Sequence, residues 1–300
     1  MVRHLALALA AAIMIGAAPA PKLESFRDLL SRPRQSADAR IAYGADANQF
    51  GDLWLPAGNG PFPVVVLIHG GCWKSELPGT ILMDYMAADL RAKGVAVWNL
   101  EYRRLGSAGA GYPGTFVDVA TGVDKLRDMA SARNLDLSRV VVAGHSAGGH
   151  LAAWTAGRAQ LPKESELYVA NPLPIRAAVS IDGIDDLEAY RNSGPGRCGE
   201  PATVDELLKD APTDSPYADT SPRALLPTTV PQLVISGELD PIVPVKFARD
   251  YVAAAKRSDT PVRLIVYPGA GHFEPIDPAT PAGRAVDDEL LALTRGDAAQ

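Results

Sequence analysis

The chain has 300 residues, 47% of them hydrophobic, enough to bury one large core. Its 29 basic and 35 acidic residues leave a net charge of −6, with no lysine or arginine run longer than Arg103-Arg104. The positive field that nucleic-acid binding needs is therefore absent.

The first twenty residues combine a basic start at Arg3, an apolar stretch from Leu5 to Ile15 and a small-residue close at Ala18-Pro19-Ala20. That is the pattern of a cleavable secretory signal. The apolar run is shorter than the roughly 20 residues of a membrane span, so a periplasmic or secreted protein without a stable membrane anchor is expected. Residues 21–38 are polar and without periodicity, and read as an extension leading to the fold. Cys72 and Cys198 are too few for a disulfide framework and lack the neighbours of a zinc site. An exported chain meets an oxidising compartment. A single bridge between them is one option, although nothing in the sequence places Cys198 beside Cys72 and the motif around Cys72 points to backbone work instead.

Residues 39–44 and 51–55 alternate in character, as antiparallel edge strands do. Six continuous apolar runs follow at 63–69, 94–100, 139–145, 175–181, 231–237 and 262–267, the signature of strands buried on both faces of a parallel sheet. Between them Leu82, Met86 and Leu90 repeat every four residues, and Phe116, Val119, Val123 and Leu126 recur at helical steps. The alternation predicts an α/β fold, a single domain over 39–300 with a mostly parallel central sheet and helices on both faces. Residues 183–229 break the rhythm. They are rich in proline, glycine and acids, hold at most short helices such as 203–209, and read as a small irregular cap-like insertion.

Gly144-His145-Ser146-Ala147-Gly148 is G-x-S-x-G between a buried strand and a helix predicted over 147–159, the context of a nucleophile elbow. Small residues surround the serine because larger ones would collide in so tight a turn, and Ser146 is expected in a strained backbone conformation. Phosphate-loop and dinucleotide-loop patterns are both absent here. A serine hydroxyl needs a base, and the base needs a carboxylate to orient it. His69, His145 and His150 belong to other motifs or lie too near the serine in sequence, whereas His272 follows the last strand in a glycine-flanked loop. Asp240 lies just past a strand end in SGELDPIVP, and the order Ser146, Asp240, His272 is the hydrolase order. Asp182, Asp185, Asp186 and Glu238 compete for the acid role and read as cap, loop or solvated acids. His69-Gly70-Gly71-Cys72-Trp73 follows the first parallel strand, and its backbone N–H groups at Gly71 and Cys72, with that of Ala147, are candidate oxyanion donors. Trp73 is a candidate substrate-binding residue. An imidazole base works only when neutral, so activity is expected to decline below about pH 6.5.

Taken in order, HGGCW, EYRR (101–104), GYPGTFVDV (111–119), GHSAGGH, SGELDPIVP and GAGHF resemble the α/β-hydrolase superfamily. More closely, they resemble HGG-type esterases near hormone-sensitive lipase and the kynurenine formamidase group. The resemblance covers about residues 50–275. It implies Ser146 as nucleophile, His272 as base, Asp240 as orienting acid and Gly71, Cys72 and Ala147 as oxyanion donors, with Tyr102, Arg103 and Asp118 bracing the site. From the residues alone, Arg103 and Asp118 could equally be a solvated pair. The expected function is an exported serine hydrolase that cleaves a small-molecule carboxylic ester through an acyl-enzyme, with no cofactor or metal. An arylformamidase or peptidase using the same triad, and a non-catalytic binding protein on a hydrolase scaffold, are the competing readings.

Overall fold

The central strands gather into one sheet because they are too apolar to leave either face in water. The computed structural model describes residues 22–296; the signal expected over residues 1–20 lies outside them. The strands are β1 (Ala39–Ala42), β2 (Phe50–Trp54), β3 (Phe62–Ile68), β4 (Ala96–Leu100), β5 (Leu135–His145), β6 (Ala177–Ile181), β7 (Gln232–Gly237) and β8 (Val262–Tyr267). Their order is β1-β2-β4-β3-β5-β6-β7-β8; β1 pairs antiparallel with β2 and β2 antiparallel with β4, and the remaining pairs, from β4-β3 to β7-β8, are parallel. Successive side chains of β3 go to opposite faces, Val64, Val66 and Ile68 into one core and Val65 and Leu67 into the other.

The helices that cover these faces are α1 (Phe26–Leu30), α2 (Asp84–Ala92), α3 (Gly114–Asp124), α4 (Leu126–Arg133), α5 (Ala147–Gly157), α6 (Leu187–Ser193), α7 (Ala202–Leu207), α8 (Lys246–Arg257) and α9 (Pro281–Arg295). On one face, Leu29 of α1, Met86 and Leu90 of α2, and Val286 and Leu290 of α9 pack with Val65 and Leu67. On the other, α3, α4 and α5 pack with Val64, Val66 and Ile68, and α8 sets Tyr251 and Val252 against Val234 of β7. The mostly parallel sheet with helices on both faces is as expected. No helix of the described residues is long and apolar enough to cross a membrane.

The structure revises the sequence reading at residues 22–38 and at the two cysteines. Residues 22–38 are not a loose lead-in: Ser25 and Asp28 cap α1 reciprocally, Leu29 is fully buried, and the Glu24 N–H donates to Glu274 Oε1 at 2.6 Å. A five-residue helix is too short to show periodicity, so only its docking reveals it. The insertion at 183–229 holds only the short helices α6 and α7, as expected, and packs on the main core through Leu187, Tyr190, Val204 and Leu207. Finally, Cys72 and Cys198 are disulfide-bonded across 126 positions, with Cα atoms 5.4 Å apart. Spacing along a chain carries no information at that range; the return of the insertion over the sheet edge decides it.

This topology also chooses where chemistry can occur. The chain leaves β3 for β4 on one side and returns to β5 on the other, so the loops after β3 and β5 diverge and leave a crevice at the carboxyl ends of adjacent strands.

Candidate active site

Ser146 occupies that crevice. It sits between β5 and α5 at φ 56°, ψ −121°, a region costly for a residue with a side chain, and its N–H is held by the Ile181 carbonyl at 2.8 Å. The steric cause lies in the glycines. A Cβ on Gly144 would stand 2.0 Å from the Gly148 carbonyl oxygen, one on Gly148 2.1 Å from that of Ile68, and one on Gly149 2.7 Å from the Gly183 Cα. The turn is tight because α5 rises directly against the ends of β3 and β6.

His272 reaches the same place from the loop after β8, and Asp240 from the loop after β7. His272 Nδ1 is 2.6 Å from Asp240 Oδ2, with both side chains buried. The other oxygen, Asp240 Oδ1, accepts from the amides of Ile242 at 2.7 Å and Val243 at 3.0 Å, which fixes the carboxylate plane. The bond to Nδ1 turns Nε2 outward, toward the cavity that Ser146 and His272 both line. Among the described residues no hydrogen bond joins Ser146 Oγ to the ring; such contacts commonly tighten only with substrate present. The loop is supported from below by His145, whose Nε2 lies 2.8 Å from the His272 carbonyl oxygen, and whose burial keeps the ring neutral, well below the usual imidazole range.

Asp182 is more than a loop acid. It is 1% exposed at the end of β6, in a left-handed conformation (φ 48°), and contacts Asp240. Its Oδ1 accepts from the Gly237 amide at 2.7 Å, while no donor faces its buried Oδ2. Burial, and then the neighbouring Asp240 charge, hold its carboxyl well above the usual range. The donor atoms of His145, Asp182 and His272 lie within 4.8 Å of one another. One atom of each is already committed, to the His272 carbonyl, the Gly237 amide and Asp240 respectively. The other competing acids are structural: Asp186 caps α6, Asp185 accepts from Ser180 Oγ, and Glu238 accepts from the Gly269 amide.

The loop after β3 faces Ser146 closely enough that a Cβ on Gly70 would be 3.0 Å from the serine Cβ. Gly71, Cys72 and Trp73 all have positive φ (102°, 50° and 57°), which bends the loop so that Gly71 and Cys72 line the cavity. Their amides have no acceptor among the described residues. Ala147 is fully buried and contributes only its backbone N–H, one of those a helix N-terminus leaves unpaired.

Buried charges brace this loop. His69 Nε2 is 2.8 Å from Glu101 Oε1 and its ring stacks on Tyr102, whose hydroxyl donates to the His69 carbonyl at 3.0 Å. Arg104 donates to the carbonyls of Lys74 and Leu77 and pairs with Glu101. Burial alone would raise the Glu101 carboxyl, but His69 and Arg104 outweigh it and hold it at about 2. Arg103 and Asp118 are no solvated pair: Asp118 is fully buried and takes the Arg103 side chain at 2.8 and 2.7 Å and its N–H at 2.9 Å.

Trp73 is a correction. The structure does not bring it to the cavity; it is fully buried, and its indole N–H donates to His150 Nδ1 at 3.3 Å, leaving His150 Nε2–H for the Thr220 carbonyl at 2.9 Å. Its left-handed backbone turns the side chain down into the core while its neighbour Cys72 faces the opening. Walls that sequence reading missed include Phe26, Leu82, Arg197 and Phe273 around a cavity of about 190 Å³. No local motif marks them, because each arrives from a different element.

A serine on the β5–α5 turn, an acid after β7 and a histidine after β8 of this sheet define an α/β-hydrolase. The chain belongs to the BD-FAE family, which it matches over residues 52–254. Among curated proteins it is 29% identical over 254 residues to esterase LipC of Mycobacterium tuberculosis (strain ATCC 25618 / H37Rv), covering 80% of this chain and 60% of the relative. It is 30% identical over 223 residues to the acylamino-acid-releasing enzyme of Mus musculus, covering 70% of this chain and 28% of that one. The chain thus spans less than two thirds of the length of either relative. Among solved structures, esterase B from Lactobacillus Rhamnosis (HN001) superposes with a TM-score of 0.75 at 20% identity, over 88% of this chain and 89% of the other.

Proposed function

We propose that this protein is a serine hydrolase of carboxylic esters that works through an acyl-enzyme. The observation that carries the reading is the 2.6 Å bond from His272 to buried Asp240, with that ring sharing one cavity with Ser146 and the Gly71-Cys72 loop. Ser146 Oγ attacks the ester carbonyl as its proton passes to His272 Nε2. The carbonyl oxygen takes up the negative charge opposite the amides of Cys72 and Ala147. Collapse of this adduct breaks the bond to the alcohol oxygen, which takes the proton from His272, and the acyl group stays on Ser146. Water, deprotonated by the same nitrogen, then releases the acid and restores the serine. Asp240 holds the tautomer and stabilises the transient imidazolium. The names of LipC and esterase B support the ester as substrate.

The cavity, about 190 Å³ with Phe26, Leu77, Leu82 and Phe273 on its wall, is smaller than the ~300–1,000 Å³ of sites for drug-sized ligands, which favours short acyl groups. The test is Ser146→Ala assayed on 4-nitrophenyl butyrate. Turnover is expected to fall by about 10⁴-fold or more with folding intact, together with loss of fluorophosphonate labelling. Retained turnover and labelling would eliminate the assignment.

Similarity to an acylamino-acid-releasing enzyme favours a second reading, cleavage of an amide by the same residues. Rates on 4-nitrophenyl butyrate, N-formylkynurenine and an N-acetyl amino-acid anilide, compared side by side, separate the two. We also propose export: the leader pattern and the Cys72–Cys198 bond both fit an oxidising compartment. A mature N-terminus near residue 20 is the expected finding.

A further inference from the structure

The cavity wall is apolar apart from the residues of the proposed chemistry, with one exception: Arg197, the single arginine or lysine among its lining residues, which include no carboxylate. Arg197 forms no ion pair and no side-chain hydrogen bond among the described residues, whereas the guanidinium groups bracing the site, Arg103 and Arg104, are both paired.

The segment around it is held rather than loose. Glu200 folds back to accept from the amides of Gly196 at 2.7 Å and Cys198 at 3.1 Å, closing a turn with Arg197 at its tip. Thr203 Oγ1 donates to the Cys198 carbonyl at 2.7 Å, and the Cys198 sulfur is bonded to Cys72. Arg197 therefore stands one residue from a covalent link to the loop that carries the candidate oxyanion donors. A second cation flanks the same bond: a Cβ on Gly199 would be 3.3 Å from Lys74 Nζ, and Lys74 also lacks an ion-pair partner among the described residues. The chain as a whole carries −6, so attraction for an anion at this point must be local.

We propose that Arg197 is an anion-binding subsite and that the preferred substrates are esters carrying a carboxylate; this rests on the ester-hydrolase reading above. The physical argument is pre-organisation. A guanidinium presents a planar fork that matches a carboxylate in two parallel hydrogen bonds, and fixing the backbone on both sides reduces what is lost in ordering it on binding. Arg197 is itself exposed at the mouth of the cavity, so its attraction for an anion is strongest where bound substrate and the apolar wall together exclude water. The carboxylate can sit on the acyl side or the alcohol side of the ester, and the two are distinguishable.

The experiment compares kcat/KM for phenyl butyrate, phenyl hemiglutarate (carboxylate on the acyl side) and 3-carboxyphenyl butyrate (carboxylate on the alcohol side) in wild type, Arg197→Gln and Arg197→Lys. In one of the two anionic arms, the anionic-to-neutral ratio is expected to fall by about tenfold or more in the glutamine variant and by less in the lysine variant. A ratio unchanged within about twofold in both arms would overturn the proposal. A binding arm keeps this separate from the hydrolase reading. Millimolar glutarate, but not glutaramide, is expected to raise the Tm of wild type and not of Arg197→Gln. If no ester is turned over but glutarate binding depends on Arg197, the hydrolase reading fails and the subsite stands. If esters are hydrolysed without charge preference and glutarate does not bind, the reverse holds.

Discussion

Asp182 and Asp240 lie together where water is excluded, and two carboxylates in such a place cannot both ionise. On the reading proposed above, a proton held on Asp182 leaves Asp240 to carry the charge that stabilises the imidazolium. Asp182→Asn, which still offers an oxygen to the Gly237 amide and an N–H to Asp240, should leave kcat/KM within about threefold and the acid limb of the pH profile in place. Were Asp182 ionised in the wild type, removing its charge would shift that limb down by about one pH unit or more. Asp240→Asn should cost roughly 10³–10⁴-fold in kcat, since an amide no longer enforces the tautomer. At Gly148 the constraint is backbone against backbone: the Ile68 carbonyl cannot yield to a methyl group 2.1 Å away. Gly148→Ala should therefore lower both Tm and activity by displacing Ser146.

At the scale of elements, the Cys72–Cys198 bond joins the loop after β3 to the insertion between β6 and β7. Closing a loop of 126 residues removes much unfolded-chain entropy, of order 4–5 kcal/mol in the loop-closure account. Cys198→Ser should lower Tm by about 5–15 °C, read against the same variant in dithiothreitol, where no further loss is expected. The capped α1 matters for a different reason, since it places Phe26 on the cavity wall beside Phe273. Phe26→Ala enlarges the pocket, and the acyl-chain optimum is expected to move toward longer esters; an unchanged chain-length profile would mean that the acyl group points elsewhere. The loop after β3 depends on elements that never touch substrate: β4 delivers Glu101, and the residues after it supply Tyr102 and Arg104.

For the whole molecule, buried carboxyls set the dependence of stability on pH. Burial, helped by contact with Asp89, pushes Asp287 up to about 9; burial likewise raises Asp185 to about 7 and Asp84 to about 6. Each keeps its proton in the fold and loses it near pH 4 when unfolded. The stability these groups contribute is full below about pH 4 and is lost as pH rises through their folded values. Glu101, held at about 2, works in the opposite sense: its contribution is present above about pH 4.5 and is lost as pH falls toward 2. Tm is therefore expected to be higher at pH 5 than at pH 9, and Asp287→Asn should flatten that slope, as a thermal melt series would show. By itself the sequence determined the layered sheet and the chain order of Ser146, Asp240 and His272, because apolar runs and glycine-rich turns are local constraints that any fold of this chain must satisfy. It also placed the Gly70-Gly71 turn after a strand. Only tertiary structure decided the Cys72–Cys198 bond, the docking of α1, the inward turn of Trp73 and the meeting of Asp182 with Asp240, since each joins residues distant in sequence or depends on which way one backbone angle points a side chain. Local patterns constrain what a segment can become; which segments meet is decided by the core they bury together.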